Sequence, residues 1–384
     1  MTKPCRVLQI VPRLSPDVDG VGDYALQLAQ QLSRQHQIAS EFLVFRPSRR
    51  TTQQVAGFPV HRLTEHTIDG LLACVPEAID TVLLQYSNYP YLRGKLDAPG
   101  WLVAGLAAFK QRGVRVVVMF HELPTLRYRR IRCPNPIQRQ VSRRLAQVAD
   151  AVVTNNTAFQ QTLSSWVTGS VRCVPNFSTV GELAGVKPLC DRTRALVVFG
   201  SSDRSRAYRN NLSTLQTLCG QLGIHTLYDV GRPIDEMLEG LASHFPIKLI
   251  RTGFLPAEQV SQLMEESFAG LFDYRRFPNN LAKSTVYAAY CAHGLLPISN
   301  QRSLRPQDGV VSGRHYLSTA ELTALHLCTP DLLTSLQIVA TNAHQQYQTR
   351  TLTTCAQAFA TLLSPETIVI PASPPTHTLV RQYE

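Results

Sequence analysis

The chain has 384 residues, 44% hydrophobic and 17% charged, with a formal net charge of +11, a length that predicts two domains of about 150–200 residues. The positive excess asks for an anionic partner such as nucleotide phosphates, a phosphorylated substrate or an acidic membrane surface. The basic residues form no tail or aromatic-interleaved run, which argues against nucleic acid. The nine cysteines show no C-x-x-C pair or Cys/His spacing, which argues against a disulfide framework or a zinc site.

No segment approaches the roughly 18 uninterrupted apolar residues of a membrane span. Met1-Thr2-Lys3-Pro4-Cys5 runs into a strand-like segment without a signal-peptide stretch, so a cytoplasmic protein is expected. The loose basic cluster Arg127 to Arg144 reads first as a solvated face, with peripheral contact on an anionic membrane as the alternative.

Arg6-Val7-Leu8-Gln9-Ile10-Val11 opens the chain as a strand. After Pro12 to Asp19 comes Gly20-Val21-Gly22-Asp23-Tyr24, then a helix with Ala25, Leu28, Ala29 and Leu32 on one face. Phe42 to Phe45, Thr81 to Gln85, Val114 to Phe120, Ala151 to Thr154 and Val171 to Val174 are apolar runs between polar turns, the pattern of buried parallel strands. Val141, Leu145 and Val148 mark another helix. Phe177 to Arg194 mixes glycine, proline and charge without periodicity and reads as a linker. The pattern then restarts with Ala195 to Gly200, followed by strands at Thr226 to Val230, Lys248 to Ile250, Ala269 to Phe272 and Leu295 to Ile298. Helices are predicted over Pro256 to Glu266 and Leu281 to Ala292. Pro330 to Leu363 reads as helical throughout, and the proline-rich residues 365–384 as a disordered tail. The restart divides the chain into α/β units at 1–185 and 186–349, and a cleft between two Rossmann-like domains usually holds a nucleotide.

Candidate chemistry gathers at strand ends. Gly20-Val21-Gly22-Asp23-Tyr24-Ala25 formally fits the G-x-G-x-x-G/A dinucleotide pattern, with Gly20 and Gly22 placed to let backbone amides approach a phosphate. The long approach from Pro12 to Asp19 and the acid-free strand end Phe45-Arg46 argue against an NAD site, and a turn that needs glycine only for its backbone is a competing reading. His121-Glu122 ends the Val114–Phe120 strand, where a histidine would donate to a substrate or take a proton. Gln85-Tyr86-Ser87-Asn88 ends a neighbouring one. In the second half Arg204, Arg206 and Arg209 follow Gly200 and suit a diphosphate, or simply start an exposed basic helix. Lys283-Ser284 opens another helix, where the dipole adds to the lysine charge. No spacing announces a Ser/His/Asp triad, a Cys/His pair or a metal cluster.

In order and spacing these pieces resemble the GT-B nucleotide-sugar glycosyltransferases, particularly the retaining family-4-like group, over about residues 5–363. The resemblance rests on Asp19-Gly20-Val21-Gly22-Asp23-Tyr24, on Val118-Met119-Phe120-His121-Glu122 and on Cys173-Val174-Pro175-Asn176-Phe177. In the second half it rests on Arg251 to Pro256 with Glu258-Gln259-Val260, and on Val286 to Ile298. It implies a donor nucleotide in the second domain, an acceptor in the first, and a C-terminal helix (350–364) crossing back to brace the first domain. By residue it implies Gly20 and Gly22 near the donor phosphate, His121 near the transferred sugar and Arg204 or Arg209 on the diphosphate. Lys283 and Ser284 stand as further donor contacts, with Asp23, Tyr86 and Glu122 on the acceptor side. Transfer of a hexose or other sugar with retention is expected, without a cofactor or metal, onto a glycan, lipid-linked or small-molecule acceptor. One departure stands out: the family's two glutamates seven residues apart are missing, since Asp273 to Ala292 holds no glutamate. A divergent enzyme is therefore weighed against a catalytically degenerate scaffold subunit in glycan assembly, with a GT-B epimerase or phosphorylase as a minor third reading.

Overall fold

The computed structural model describes residues 4–76, 78–91, 99–124, 126–128, 131–133, 136–200, 204–209, 212–232, 247–274, 280–303, 306, 308–324 and 331–364. The predicted tail at 365–384 lies outside them. In chain order the first half contributes β1 (Arg6–Val11), β2 (Ala39–Val44), β3 (Gln54–Val55), β4 (Phe58–Arg62), β5 (Thr81–Tyr86) and β6 (Arg115–Phe120). A small antiparallel hairpin follows, β7 (Leu126–Tyr128) with β8 (Ile131–Cys133), and then β9 (Ala151–Thr154) and β10 (Val171–Cys173). The first sheet runs β10-β9-β6-β5-β1-β2-β4-β3, parallel except for the β3–β4 edge. The second half contributes β11 (Thr193–Gly200), β12 (Thr226–Gly231), β13 (Lys248–Gly253), β14 (Ser267–Phe272), β15 (Leu296–Ser299) and β16 (Leu317–Ser318), in the order β13-β12-β11-β14-β15-β16.

Each sheet is thus wound outward in both directions from its first strand. The reversals fall between β1 and β5 and between β11 and β14, and ligands of such sheets sit outside the carboxyl ends of the strands at that point. The apolar runs behave as buried parallel strands should: every residue of β5 is buried, because helices cover both faces. The helix Gly20–His36 buries the predicted stripe of Ala25, Leu28, Ala29 and Leu32, and full burial of a leucine such as Leu28 or Leu32 is worth about 2 kcal/mol.

Two predicted helices are corrected. Leu281–Lys283 is a single 3-10 turn, and the regular helix runs Thr285–Ala292. Ser284 is extended (φ −83°, ψ 109°) because its Oγ accepts the Tyr287 amide as an N-cap. Pro330 to Leu363 is not one helix but Leu332–Tyr347, a 3-10 turn Gln348–Arg350 and Leu352–Leu363. The break at Thr351 (ψ 162°) lets the chain leave the second lobe and return to the first. There Cys355, Ala356, Phe359 and Leu363 pack on Val7, Leu28, Leu83 and Val117, and Thr81 Oγ1 donates to the Leu363 carbonyl at 2.8 Å. Glu182, in the linker segment, accepts from Tyr347 Oη and from the Leu352 amide, tying that segment to the crossover.

Candidate active site

A cavity of about 380 Å³ lies where the carboxyl edges of the two sheets face each other, and both lobes line it. The first lobe contributes Asp19, Gly20, Val21, Tyr24, Ser87, His121, Glu122, Asn155 and Asn176; the second contributes Phe199, Gly200, Arg204, Arg206, Asp273, Tyr274, Lys283, Ser284, Thr285 and Val286.

The glycine segment after β1 is wired differently from a phosphate cradle. Asp19 is the N-cap of the Gly20–His36 helix, and its Oδ1 accepts the Val21 and Gly22 amides at 3.0 and 2.9 Å. Those amides are therefore taken by the protein's own carboxylate. Gly22 is required by packing: a Cβ there would lie 2.1 Å from the Arg13 carbonyl oxygen. Gly20 borders the cavity; Gly22 and Asp23 are not among its lining residues. Burial, then the neighbouring Asp19, pushes the Asp23 carboxyl up to about 6. Burial also raises Asp19, against its two amide bonds and Arg13.

His121 sits at the end of β6, 6% exposed, with its ring edge-on to Tyr24 at 5.0 Å. Its Nε2 is 2.8 Å from Gln85 Oε1. The Gln85 amide is itself oriented, since its Nε2 donates to Gln9 Oε1 at 3.0 Å, and Gln9 Nε2 reaches Ser40 Oγ at 3.4 Å. An amide oxygen only accepts, so His121 Nε2 carries the proton and Nδ1 is left as an acceptor. Burial first, and Lys283 second, push the imidazole down to about 3. His121 is thus a neutral hydrogen-bonding group and not a cation.

Tyr86, expected on the acceptor side, is a core residue. It is fully buried, its Oη donates to Asn88 Oδ1 at 3.0 Å, and its ring meets Tyr91 and Phe120. Strand alternation explains the miss, because the last residue of β5 turns inward and its successor Ser87 borders the cavity.

On the second lobe Arg204 borders the cavity, but its guanidinium is built into the protein. Nε and Nη2 form a two-pronged pair with Asp229 at 2.8 Å each, Nη1 donates to the Gly200 carbonyl at 3.1 Å, and Nη2 also meets the Arg232 carbonyl. Tyr208 Oη donates to the same Asp229 at 2.7 Å. The pair is almost wholly buried and holds the ends of β11 and β12 together. There Gly231 (φ 134°) is needed, because a Cβ would lie 2.1 Å from the Gly200 carbonyl oxygen. Arg204 thus borders the cavity, as expected of a diphosphate ligand, with its guanidinium also committed to a structural pair. The Arg209 side chain lies outside the described residues.

Lys283 and Ser284 are brought to the cavity. Ser284 caps the Thr285–Ala292 helix, whose first residues Thr285 and Val286 also line the cavity, and the first amides of a helix have no carbonyl behind them within it. The Lys283 ammonium pairs with Glu122 across the lobes at 3.2 Å and lies 5.6 Å from the Phe159 ring centre. Its backbone is clamped from the first lobe, as Asn176 donates from N to the Ala282 carbonyl and from Nδ2 to the Lys283 carbonyl, at 2.9 and 2.8 Å. A further cross-lobe bond runs from the Thr157 amide to Asp308 Oδ1 at 2.7 Å.

Sequence reasoning quoted Asp19 in the glycine motif but gave no role to it, to Gln9 or to Asp229. Asp19 was findable, since an aspartate directly before a glycine-rich helix start is an N-cap signal. Gln9 and Asp229 are polar residues inside apolar strands, a weaker signal. Among the described residues no group of three or more His, Cys, Asp or Glu side chains comes together in a way that could hold a metal ion.

No protein-family model and no curated protein sequence matches this chain. Solved structures do. Two Rossmann-like sheets facing across a cleft, with a terminal helix returning to the first lobe, are the GT-B fold, and the chain has that fold. It is similar to sucrose-phosphate synthase from Thermosynechococcus elongatus at a TM-score of 0.62 and 13% identity, over 93% of this chain and 98% of that one. It is also similar to the pneumococcal O-GlcNAc transferase GtfA in complex with UDP and GlcNAc, at 0.63 and 9%, over 94% and 98%. A glycosyltransferase from Rickettsia africae is similar at 0.62 and 10%, over 94% and 98%.

Proposed function

We propose that the chain is a glycosyltransferase that moves a sugar from a nucleotide-diphosphate sugar to an acceptor hydroxyl, with retention. The observation that carries this reading is the polarity of the cavity. One wall offers Lys283, Arg206 and the start of the Thr285–Ala292 helix against a single carboxylate among the described residues, Asp273, and the other offers the neutral His121 with Asp19 and Glu122 and no described cation. The leaving diphosphate meets the first wall, where a partly buried ammonium and a helix N-terminus stabilise developing negative charge. The transferred sugar lies against the second, where His121 Nδ1 accepts from a sugar hydroxyl. Lys283 stands near the place of the first missing family glutamate, so the charge there is positive. A GT-B neighbour solved with UDP and GlcNAc supports the choice of donor class.

The test is a thermal-shift screen against UDP-, GDP-, ADP- and dTDP-sugars, with NAD and NADP as controls. A native-state ligand at ~100 times its dissociation constant stabilises by about 2.7 kcal/mol. A shift with one nucleotide sugar that is lost in Lys283→Ala supports the reading. No shift with any of them favours a catalytically degenerate GT-B protein. The first lobe also carries a basic face, with exposed Arg139, Arg143, Arg144 and Ile137 on the helix Pro136–Val148. This suits peripheral contact with anionic lipid, and equal co-sedimentation with neutral and anionic liposomes would remove that part of the proposal. Among the described residues no helix is long and apolar enough to cross a membrane.

A further inference from the structure

We infer that the acceptor is an uncharged, hydroxyl-rich molecule and not a phosphorylated one, because the described first-lobe wall of the cavity carries carboxylates and no cation. The inference rests on the glycosyltransferase reading above. Among the described residues, the cations lining the cavity, Arg204, Arg206 and Lys283, all belong to the second lobe, which also contributes the carboxylate Asp273. The first-lobe wall carries two carboxylates, Asp19 and Glu122, and neutral hydrogen-bonding groups on Ser87, His121, Asn155 and Asn176.

The two carboxylates differ in what occupies them. Asp19 spends Oδ1 on both of its amide bonds, which leaves Oδ2 without a hydrogen bond among the described residues. Glu122 is compensated by Lys283. A donor diphosphate at the second wall competes for that same ammonium, and whatever it draws away leaves Glu122 uncompensated. Donor binding therefore makes the acceptor side more negative. Sugar or polyol hydroxyls donate to carboxylates in charge-assisted bonds. A phosphate ester in the same space meets like charge inside a cavity of about 380 Å³, and such repulsion is an efficient source of discrimination.

The experiment measures transfer from whichever nucleotide sugar shifts the melting temperature, using matched acceptors: glucose and glucose 6-phosphate, fructose and fructose 6-phosphate, myo-inositol and its 1-phosphate, with neutral oligosaccharides alongside. The neutral member is expected to have at least tenfold higher kcat/KM. The ratio is expected to narrow in Glu122→Gln and in Asp19→Asn, the latter keeping a residue that caps helices as well as aspartate does. Preference for a phosphorylated member overturns the inference while leaving the glycosyltransferase reading intact. Donor binding with turnover of no neutral acceptor overturns it as well. Absence of any nucleotide-sugar shift, with no turnover, removes the glycosyltransferase reading and the inference with it.

Discussion

The two lobes reach the cavity by the same route, a first strand at the topological switch point leading into a helix, yet they finish it with opposite chemistry. After β1 the helix start is closed by its own aspartate, Asp19, and the neighbouring histidine, kept neutral by burial and by Lys283, has its tautomer set by a buried amide pair. After β11 the first cation at the cavity, Arg204, is paired with Asp229, and it is joined there by Arg206 and, from a different strand-end turn, Lys283. Topology therefore decides where a ligand lies, while the polar partner each side chain finds decides what the ligand is.

The largest expected effect separates a structural arginine from a ligand-binding one. Arg204→Ala strands Asp229 in a buried site and is expected to cost about 3–5 kcal/mol in denaturant unfolding. Arg204→Met with Asp229→Leu should recover much of the loss. Normal stability with lost nucleotide binding in Arg204→Ala would instead make the two lobes' wiring less different than described. Next, Lys283→Ala is expected to raise the dissociation constant for the nucleotide sugar 10- to 100-fold, or about 1.4–2.7 kcal/mol by calorimetry. An unchanged constant would move the cationic wall elsewhere.

On the first lobe, Asp23 offers a smaller effect with a definite sign. Its folded-state value, about 6, lies above the ordinary carboxylate value. Between about pH 4 and pH 6 the folded chain keeps a proton that the unfolded chain has lost, so stability falls as pH rises through that window. Asp23→Asn should be more stable than the parent by on the order of 1–3 kcal/mol at pH 7.5, with the gain gone by about pH 3.5. A pH-independent difference would place the charge of Asp23 in water. The finest test is spectroscopic: in nitrogen-15 spectra His121 should show its proton on Nε2 and no titration between about pH 5 and pH 8. Gln85→Leu should abolish the preference for that tautomer, and if it does not, the amide pair does not orient the ring.

Most of the strands were legible because parallel strands covered on both faces are continuous apolar runs, and the runs at 81–85, 114–120 and 269–272 fall on β5, β6 and β14. The short edge strands β3 and β16 were not, since two residues carry no periodicity. At the site, His121, Glu122, Lys283 and Ser284 were legible from their places at strand ends and a helix start, and all four line the cavity. The burial of Tyr86 and the pairing of Arg204 were not legible, for one shared reason. Residue type and position near a strand end say that a group is near an edge, but the direction it faces depends on partners such as Asn88 or Asp229 that folding brings within hydrogen-bond distance.

By itself, then, the sequence determined the two-lobed α/β plan, the order of the pieces and the edge at which chemistry gathers, because hydrophobic periodicity and turn chemistry are local properties of the chain. Only the tertiary structure decided which polar groups are committed to the protein and which face the cavity. Asp19 is drawn onto two amides, Arg204 onto Asp229, His121 onto Gln85, and Lys283 across the cleft to Glu122. Except for Asp19, these partners are far apart in the chain. They meet only after folding has removed the water that would otherwise satisfy each of them.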